Sequence, residues 1–233
     1  MTMDVLLNNL FPAGHTVTHD EGLVTGFATV PAGEVAVLGT TQHLAVGADA
    51  ALKLASFVLG IIKDRPGCPI LMLVDTQGQR LSRTEELLGL NGFLAHLVKS
   101  LDLARRRGHR LLTLVYGEAV SGGFLSFGLM ADEIHALEDA KVRVMNLPAM
   151  ARITKLPLEM LEALRAESPS FAPGVANFYK LGGIHSVWKD SLSEQLQAAL
   201  ERRNDGDRRR EDGLARQGRK LALAVSRKVS SST

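Results

Sequence analysis

The chain has 233 residues, ample material for a core in one large domain or two small ones. With 45% hydrophobic and 22% charged residues, and no apolar run long enough to span a bilayer, the composition is that of a globular protein; it excludes disordered and membrane-spanning classes. One cysteine, Cys68, rules out an internal disulfide framework, and the N-terminus lacks the basic region of a secretion signal, so the expected location is the cytoplasm.

In chain order, residues 1–20 show no clear period and read as a mostly irregular lead-in with room for a short helix. Gly22–Pro31 and Gly33–Thr41 are rich in β-branched residues, and Pro31-Ala32-Gly33 between them has turn chemistry, which predicts a hairpin. Ala51, Leu54, Ala55, Val58, Leu59 and Ile62 fall at helical spacing, and Asp64-Arg65-Pro66-Gly67 stops that helix. Pro69–Asp75 is a continuous apolar run ending in Asp75-Thr76-Gln77-Gly78, as a central strand running into a functional loop would be. Glu85–Arg107 predicts a helix with a break near Gly89–Gly92, with Gly108 as its C-cap. Leu111–Tyr116 is a second buried strand, and Ile134–Leu137 and Val142–Met145 are short candidates. Two strands and a helix, followed by repeated strand–helix units, give an α/β fold.

Further on, Thr154–Arg165 predicts an amphipathic helix and Ser168–Gly174 a rigid loop. Val175–Leu181 is a short helix and Gly182–Trp188 a terminal strand, and Leu192–Arg202 and Leu214–Val229 are amphipathic helices. The expected organisation is a lead-in over 1–20, a core over 21–190 and a basic C-terminal helical extension over 191–233. The net charge of +2 is uneven: residues 201–233 hold ten Lys/Arg against five Asp/Glu, leaving 17 against 20 for the body. A solvated terminal helix accounts for that tail. Arg208-Arg209-Arg210 lacks interleaved aromatics and precedes Glu211-Asp212, so nucleic acid is not an expected partner.

Chemistry concentrates at Gly117-Glu118-Ala119-Val120-Ser121-Gly122-Gly123. Gly122 and Gly123 stand where a helix begins after a buried strand, and an apolar stretch of helical length follows. A helix start leaves N–H groups unpaired and carries partial positive charge, which suits a developing anion, and glycine lets a substrate approach the backbone. An oxyanion hole is the functional reading; close helix–strand packing is the structural one.

The element order, with Val74-Asp75-Thr76-Gln77-Gly78 and the Gly117–Gly123 turn, resembles the crotonase-like superfamily. The similarity is greatest to its carboxyltransferase branch, whose C-terminal halves carry a similar Asp-Thr-x-Gly loop and Gly-x-x-x-Ser-Gly-Gly turn. Thr154-Lys155-Leu156-Pro157 and Ser168-Pro169-Ser170-Phe171-Ala172-Pro173-Gly174, followed by Leu181-Gly182, are similar to gamma subunits of biotin-independent malonate decarboxylases. The resemblance implies a crotonase-like ββα superhelix with C-terminal helices, paired with a homologous beta subunit as a heterodimer. It further implies decarboxylation of a malonyl thioester to an acetyl thioester and CO₂. That thioester sits on a dephospho-coenzyme-A-type group of an acyl carrier subunit, served by an acyl carrier transferase subunit, with no cofactor on this chain and no biotin. In related carboxyltransferases the turn faces biotin; here it is left with the enolate oxygen, the leaving carboxylate or nothing.

Around the turn, Gly122 and Gly123 are the candidate backbone donors, and Ser121, Gly78, Asn146 and Glu118 the candidate substrate-binding residues. A nucleophilic Ser121 needs a histidine base, and the region one strand further on, Met145-Asn146-Leu147-Pro148, has none. Glu118 reads as an acid/base of hydratase type or as an interface carboxylate, and hydratase chemistry wants a second carboxylate beside it. Asp75 is a strand-end ligand residue or a cap on the following turn. Asn146 orients a substrate carbonyl or starts the turn at Leu147-Pro148. His135, in an apolar run, reads as a core histidine and Cys68 as a small core residue. His15 and His19 are four apart without a helical pattern between them, so no metal is expected.

Overall fold

The computed structural model describes residues 1–167, 173–203, 206–218 and 222–231. The chain opens with α1 (Met3–Leu10), then β1 (Thr18–Asp20), β2 (Leu23–Val30), β3 (Gly33–Thr40), the short β4 (Ala45–Val46) and α2 (Ala48–Asp64). Next come β5 (Ile70–Thr76), the short β6 (Gly78–Gln79), α3 (Arg83–Leu88), α4 (Leu90–Arg106), β7 (Leu111–Val120) and α5 (Ser121–Ser126). A 3₁₀ turn at Gly128–Met130 leads to β8 (Glu133–Leu137), β9 (Lys141–Arg143), α6 (Leu147–Thr154), α7 (Leu158–Glu167), α8 (Val175–Lys180) and β10 (Ser186–Trp188). Helices α9 (Leu192–Glu201), α10 (Arg209–Ala215) and α11 (Ala222–Ser230) follow.

The strands form one sheet in the order β1-β2-β3-β5-β7-β8-β10, antiparallel from β1 to β3 and parallel from β3 onward. Strand β9 pairs with the far end of β7, and β4 and β6 make a separate parallel pair. Every residue of β5 is buried, as a central parallel strand requires. Its side chains alternate: Ile70, Met72 and Val74 pack with α2 and α4 on one face, Leu71 and Leu73 with α1 and α9 on the other. The expected hairpin, the helices over 48–64 and 192–201, and the terminal strand all form.

Four expectations are corrected. The lead-in is not mostly irregular: Met3, Leu6, Leu7 and Leu10 form an i, i+3, i+4, i+7 stripe on α1, buried in the second core layer. The helix expected over 154–165 does not run from Thr154: α6 ends there, Lys155 takes a left-handed conformation (φ 62°), and α7 starts only at Leu158, beyond Pro157. Leu214–Val229 is not one helix either, since α10 ends at Ala215 and α11 starts at Ala222. Finally, the helix after the Gly117–Gly123 turn is short. The backbone leaves α-geometry at Phe127 (φ −136°, ψ −54°), and the Met130 N–H bonds the Phe127 carbonyl at 3.0 Å, closing a 3₁₀ turn in place of a further α-turn. The break expected in the 85–107 helix falls at Gly89 (φ 75°), and of the Ser168–Gly174 loop all but Pro173 and Gly174 lies outside the described residues. No helix among the described residues is long and apolar enough to cross a membrane.

His135 is a core histidine, 0% exposed, stacked on Trp188 with ring centroids 4.6 Å apart and its Nδ1 2.8 Å from the Ser186 hydroxyl. Burial holds its pKa down at about 3, reinforced by His185, Arg202 and Arg110. Glu133, 3.5 Å away, does not offset this because Arg110 and Arg202 already neutralise it. A histidine that stays neutral when folded and titrates near 6.5 when unfolded stabilises the fold above about pH 6.5 and loses that contribution as pH falls toward 3. The melting temperature of His135→Gln should therefore fall less steeply than the wild type's between pH 7 and about pH 4.5, measured by thermal scanning; parallel slopes would remove His135 from the acid response.

Candidate functional site

The site lies at the carboxyl ends of the parallel strands, where open α/β sheets gather ligand-binding groups. Between β5 and β7 the register slips: Val74 pairs with Val115, but Thr76 pairs with Ala119. Tyr116, Gly117 and Glu118 therefore bulge opposite the single residue Asp75. Asp75 is buried, and its Oδ1 accepts the Glu118 N–H at 2.9 Å. A Cβ on Gly117 would stand 2.3 Å from the same oxygen, so only glycine lets the bulge close over the carboxylate. Asp75 thus caps a bulge on the neighbouring strand rather than the turn that follows it.

The same carboxylate holds a residue that sequence reasoning missed. Oδ1 lies 2.8 Å from His43 Nδ1, and Oδ2 accepts the His43 backbone N–H at 3.0 Å. His43 sits in the turn after β3, the strand paired directly with β5. The available signal was the polar run Thr40-Thr41-Gln42-His43 at the end of a buried strand. Spacing of histidines in the sequence could not reveal it, because the partner is 32 residues away. Tyr116 steadies this region by donating its hydroxyl to the Thr40 carbonyl at 2.9 Å, and burial pushes that hydroxyl's pKa up.

Gly78 (φ 109°) donates its N–H to the Thr76 hydroxyl at 3.1 Å, and Thr76 Oγ1 in turn donates to the Leu44 carbonyl at 2.6 Å. A Cβ on Gly123 would stand 2.7 Å from the Gly78 carbonyl carbon and 2.8 Å from Thr76 Oγ1, so α5 rests directly on the Asp75–Gly78 loop. Gly122 N–H donates to Gln79 Oε1 at 2.9 Å, and a Gly122 Cβ would meet that oxygen at 2.8 Å. Ser121 is half-buried with φ 45°, a conformation that marks a tight strand-to-helix turn. Among the described residues it makes no hydrogen bond to a histidine. With only six residues, α5 is too short to carry a helix-long dipole.

The other expected residues are engaged elsewhere. Glu118 Oε2 accepts Arg143 Nη2 at 2.9 Å, with Lys141 Nζ 4.0 Å from Oε1, so two cations hold it in an ion pair across β7 and β9. Asn146 is the N-cap of α6, its side-chain oxygen accepting the Ala149 N–H at 2.9 Å. Cys68 is half-buried against the core, and burial raises its pKa. His15 Nδ1 accepts the Val17 N–H, while His19 pairs with Asp4. Among the described residues, no three His, Cys, Asp or Glu side chains converge to hold a metal. Leu81, Leu87 and Leu88 around α3, and Leu125 on α5, stand exposed on the segments that flank the turns.

A sequence profile described as malonate decarboxylase gamma subunit matches residues 41–233. The chain belongs to the malonate decarboxylase gamma subunit family. It is similar to the malonyl-S-ACP:biotin-protein carboxyltransferase MADD of Malonomonas rubra, with 37% identity over 151 residues, 61% of this chain and 52% of that protein. The chain thus spans about half the length of that curated relative. Among solved structures it is similar to a Pseudomonas malonate decarboxylase hetero-tetramer in complex with coenzyme A, with 26% identity, a TM-score of 0.81 and 98% of each chain covered. The transcarboxylase 12S core bound to methylmalonyl-coenzyme A shares the fold, with a TM-score of 0.71, 20% identity, and 85% of this chain and 40% of that one covered. The fold is therefore the carboxyltransferase type of the crotonase-like class.

Packing requires glycine at position 123 but not at position 60. Gly123→Ala drives a methyl into backbone and should cost about 1–3 kcal/mol of stability, as overpacking does. Gly60→Ala, in α2 with nothing within 4 Å of the added carbon, should instead stabilise by up to about 1 kcal/mol. Urea unfolding of both variants separates the cases, and equal effects would contradict the packing described.

Proposed function

We propose that this chain is one half of a two-chain site that decarboxylates a malonyl thioester presented by an acyl carrier subunit. The observation that carries this reading is the interlocking of the Asp75–Gly78 and Gly117–Gly123 turns at the strand ends, within the span of residues 41–233 that matches the gamma subunit family. Loss of CO₂ breaks a carbon–carbon bond and sends its electron pair toward the thioester carbonyl, so oxyanion charge develops on that oxygen. Backbone N–H groups already in place for that charge lower the barrier, each by about 2.7–4 kcal/mol in well-formed oxyanion holes. Gly122 and Gly123 are the donors proposed here. Gln79 Oε1 accepts the Gly122 N–H at 2.9 Å, and in this reading the thioester oxygen would take its place. Ser121 and Gly78 border the same opening. Glu118, held by Arg143 and Lys141, shapes its wall and takes no proton, and Asn146 acts by ordering α6.

The thioester would be carried on a dephospho-coenzyme-A-type group of the carrier, which supplies only a flexible attachment and the thioester itself. A homologous beta subunit would close the site from the other side, over the exposed leucines of α3 and α5. An acyl carrier transferase subunit would charge the carrier. Two specific observations favour other readings. The 37% identity to a biotin-protein carboxyltransferase favours transfer of the carboxyl group to biotin in place of its release. Occupation of the Gly122 N–H by Gln79 favours a chain that only supports its partner's chemistry.

One set of assays separates the three readings. The assembled complex should release CO₂ from malonyl carrier at an unchanged rate in excess avidin; inhibition by avidin would favour the biotin reading. Gly122→Ala has no positive φ to violate and displaces only the mobile end of Gln79, so the complex should assemble. Its kcat should fall by at least about 100-fold. Normal turnover by that variant would favour the supporting role.

A further inference from the structure

The His43 turn is built more tightly than a surface loop requires. Gln42 and His43, the central residues of the Thr41–Leu44 turn, both have positive φ, 57° and 52°, without a glycine between them. Non-glycine residues keep that conformation only where their surroundings impose it, and such strain gathers at functional positions. Here the constraint is the buried Asp75 carboxylate, which grips the ring through Nδ1 and the backbone through its N–H. This double grip fixes the imidazole's orientation and leaves Nε2 without a hydrogen bond among the described residues, on a side chain that is 61% exposed.

The turn is also tied to the proposed oxyanion site on two sides. Asp75 Oδ1 accepts both His43 Nδ1 and the Glu118 N–H, so one oxygen joins the histidine to the Gly117–Gly123 turn. Next to His43, the Leu44 carbonyl accepts Thr76 Oγ1, the atom on which Gly123 rests. Three other histidines are engaged in the structure. His135 is sealed in the core, His109 Nδ1 bonds the Cys68 carbonyl, and His185 Nδ1 accepts the Ile134 N–H.

We propose that His43 is the acid that supplies the proton replacing CO₂, and that Asp75 is its positioning residue. The inference rests on the decarboxylase reading above. After the carbon–carbon bond breaks, its electron pair resides in the enolate of the acetyl thioester. Protonated His43 gives the hydrogen on Nε2 to the carbon that carried the carboxylate. The new C–H bond forms as the enolate pair returns to that carbon, the carbonyl is restored, and the neutral ring regains its proton from solvent. The sum is one malonyl thioester anion and one proton giving one acetyl thioester and CO₂. Nδ1–H stays on Asp75 throughout, so the ring turns over without losing its orientation.

The test uses the intact complex with malonyl-loaded carrier, and His43→Ala and His43→Asn variants. Asparagine tolerates the left-handed backbone and can still reach Asp75, so it keeps the turn while removing the acid. Both variants should assemble and bind malonyl carrier with little change in KM, but with kcat lower by about 100-fold. Added imidazole should restore activity to His43→Ala by about tenfold, and not to His43→Asn, which still fills the space. A kcat within about threefold of the wild type, or a loss in an assembled complex that imidazole does not restore, would overturn the role. If the wild-type complex itself releases no CO₂ from malonyl carrier, the decarboxylase reading fails and takes this role with it, a result distinct from failure of His43 alone.

Discussion

The buried carboxylate of Asp75 is the point on which this site depends. It accepts hydrogen from the backbone of two separate segments, His43 in the turn after β3 and Glu118 in the bulge of β7, and from the His43 ring. Hydrogen bonds to a charged acceptor contribute about 1.5–3 kcal/mol each, against about 0–1 kcal/mol for an exposed ion pair. The two backbone bonds are sheltered and carry that weight, whereas the ring bond is screened by water at His43. Without the carboxylate, the bulge at Tyr116–Glu118 would leave a buried N–H unmatched, and the Gly117–Gly123 turn would lose its seat.

From this anchor the site is assembled by close backbone approach. Gly117 closes over Asp75, Gly123 over Thr76 and Gly78, and Gly122 against Gln79. At each contact the glycine lacks the side chain that would clash, so α5 packs directly on the Asp75–Gln79 segment. At Gly122 the neighbour is the end of a long side chain, Gln79, whose oxygen accepts the glycine N–H.

Much of the fold was legible in the sequence because its signals are local. The apolar run at Ile70–Val74 and the turn chemistry at Pro31–Gly33 predict their elements directly, and Ser121-Gly122-Gly123 marks the strand-to-helix turn. Signals that fail are those set by tertiary contact. Helix α1 is too short for its stripe to stand out, and α5 ends at Ser126 although the apolar stretch runs on, because the backbone turns at Phe127. In the site, the glycines were visible as residue types, but their neighbours were not. Sequence alone left Glu118 between an acid/base and an interface carboxylate, and Asn146 between a substrate contact and a turn residue; Arg143 beside the one and the Ala149 N–H beside the other are tertiary or backbone facts. His43 was invisible because a histidine acquires its role from a carboxylate that the sheet, not the sequence, brings to it.

The most direct measurement is a crystal structure of the beta–gamma complex holding a non-cleavable malonyl thioester analogue on its carrier. The expected result is the thioester oxygen about 3 Å from the Gly122 or Gly123 nitrogen, with the Gln79 side chain displaced. An analogue seated wholly on the partner chain, with Gln79 still bonded to Gly122, would contradict a catalytic site shared by this chain.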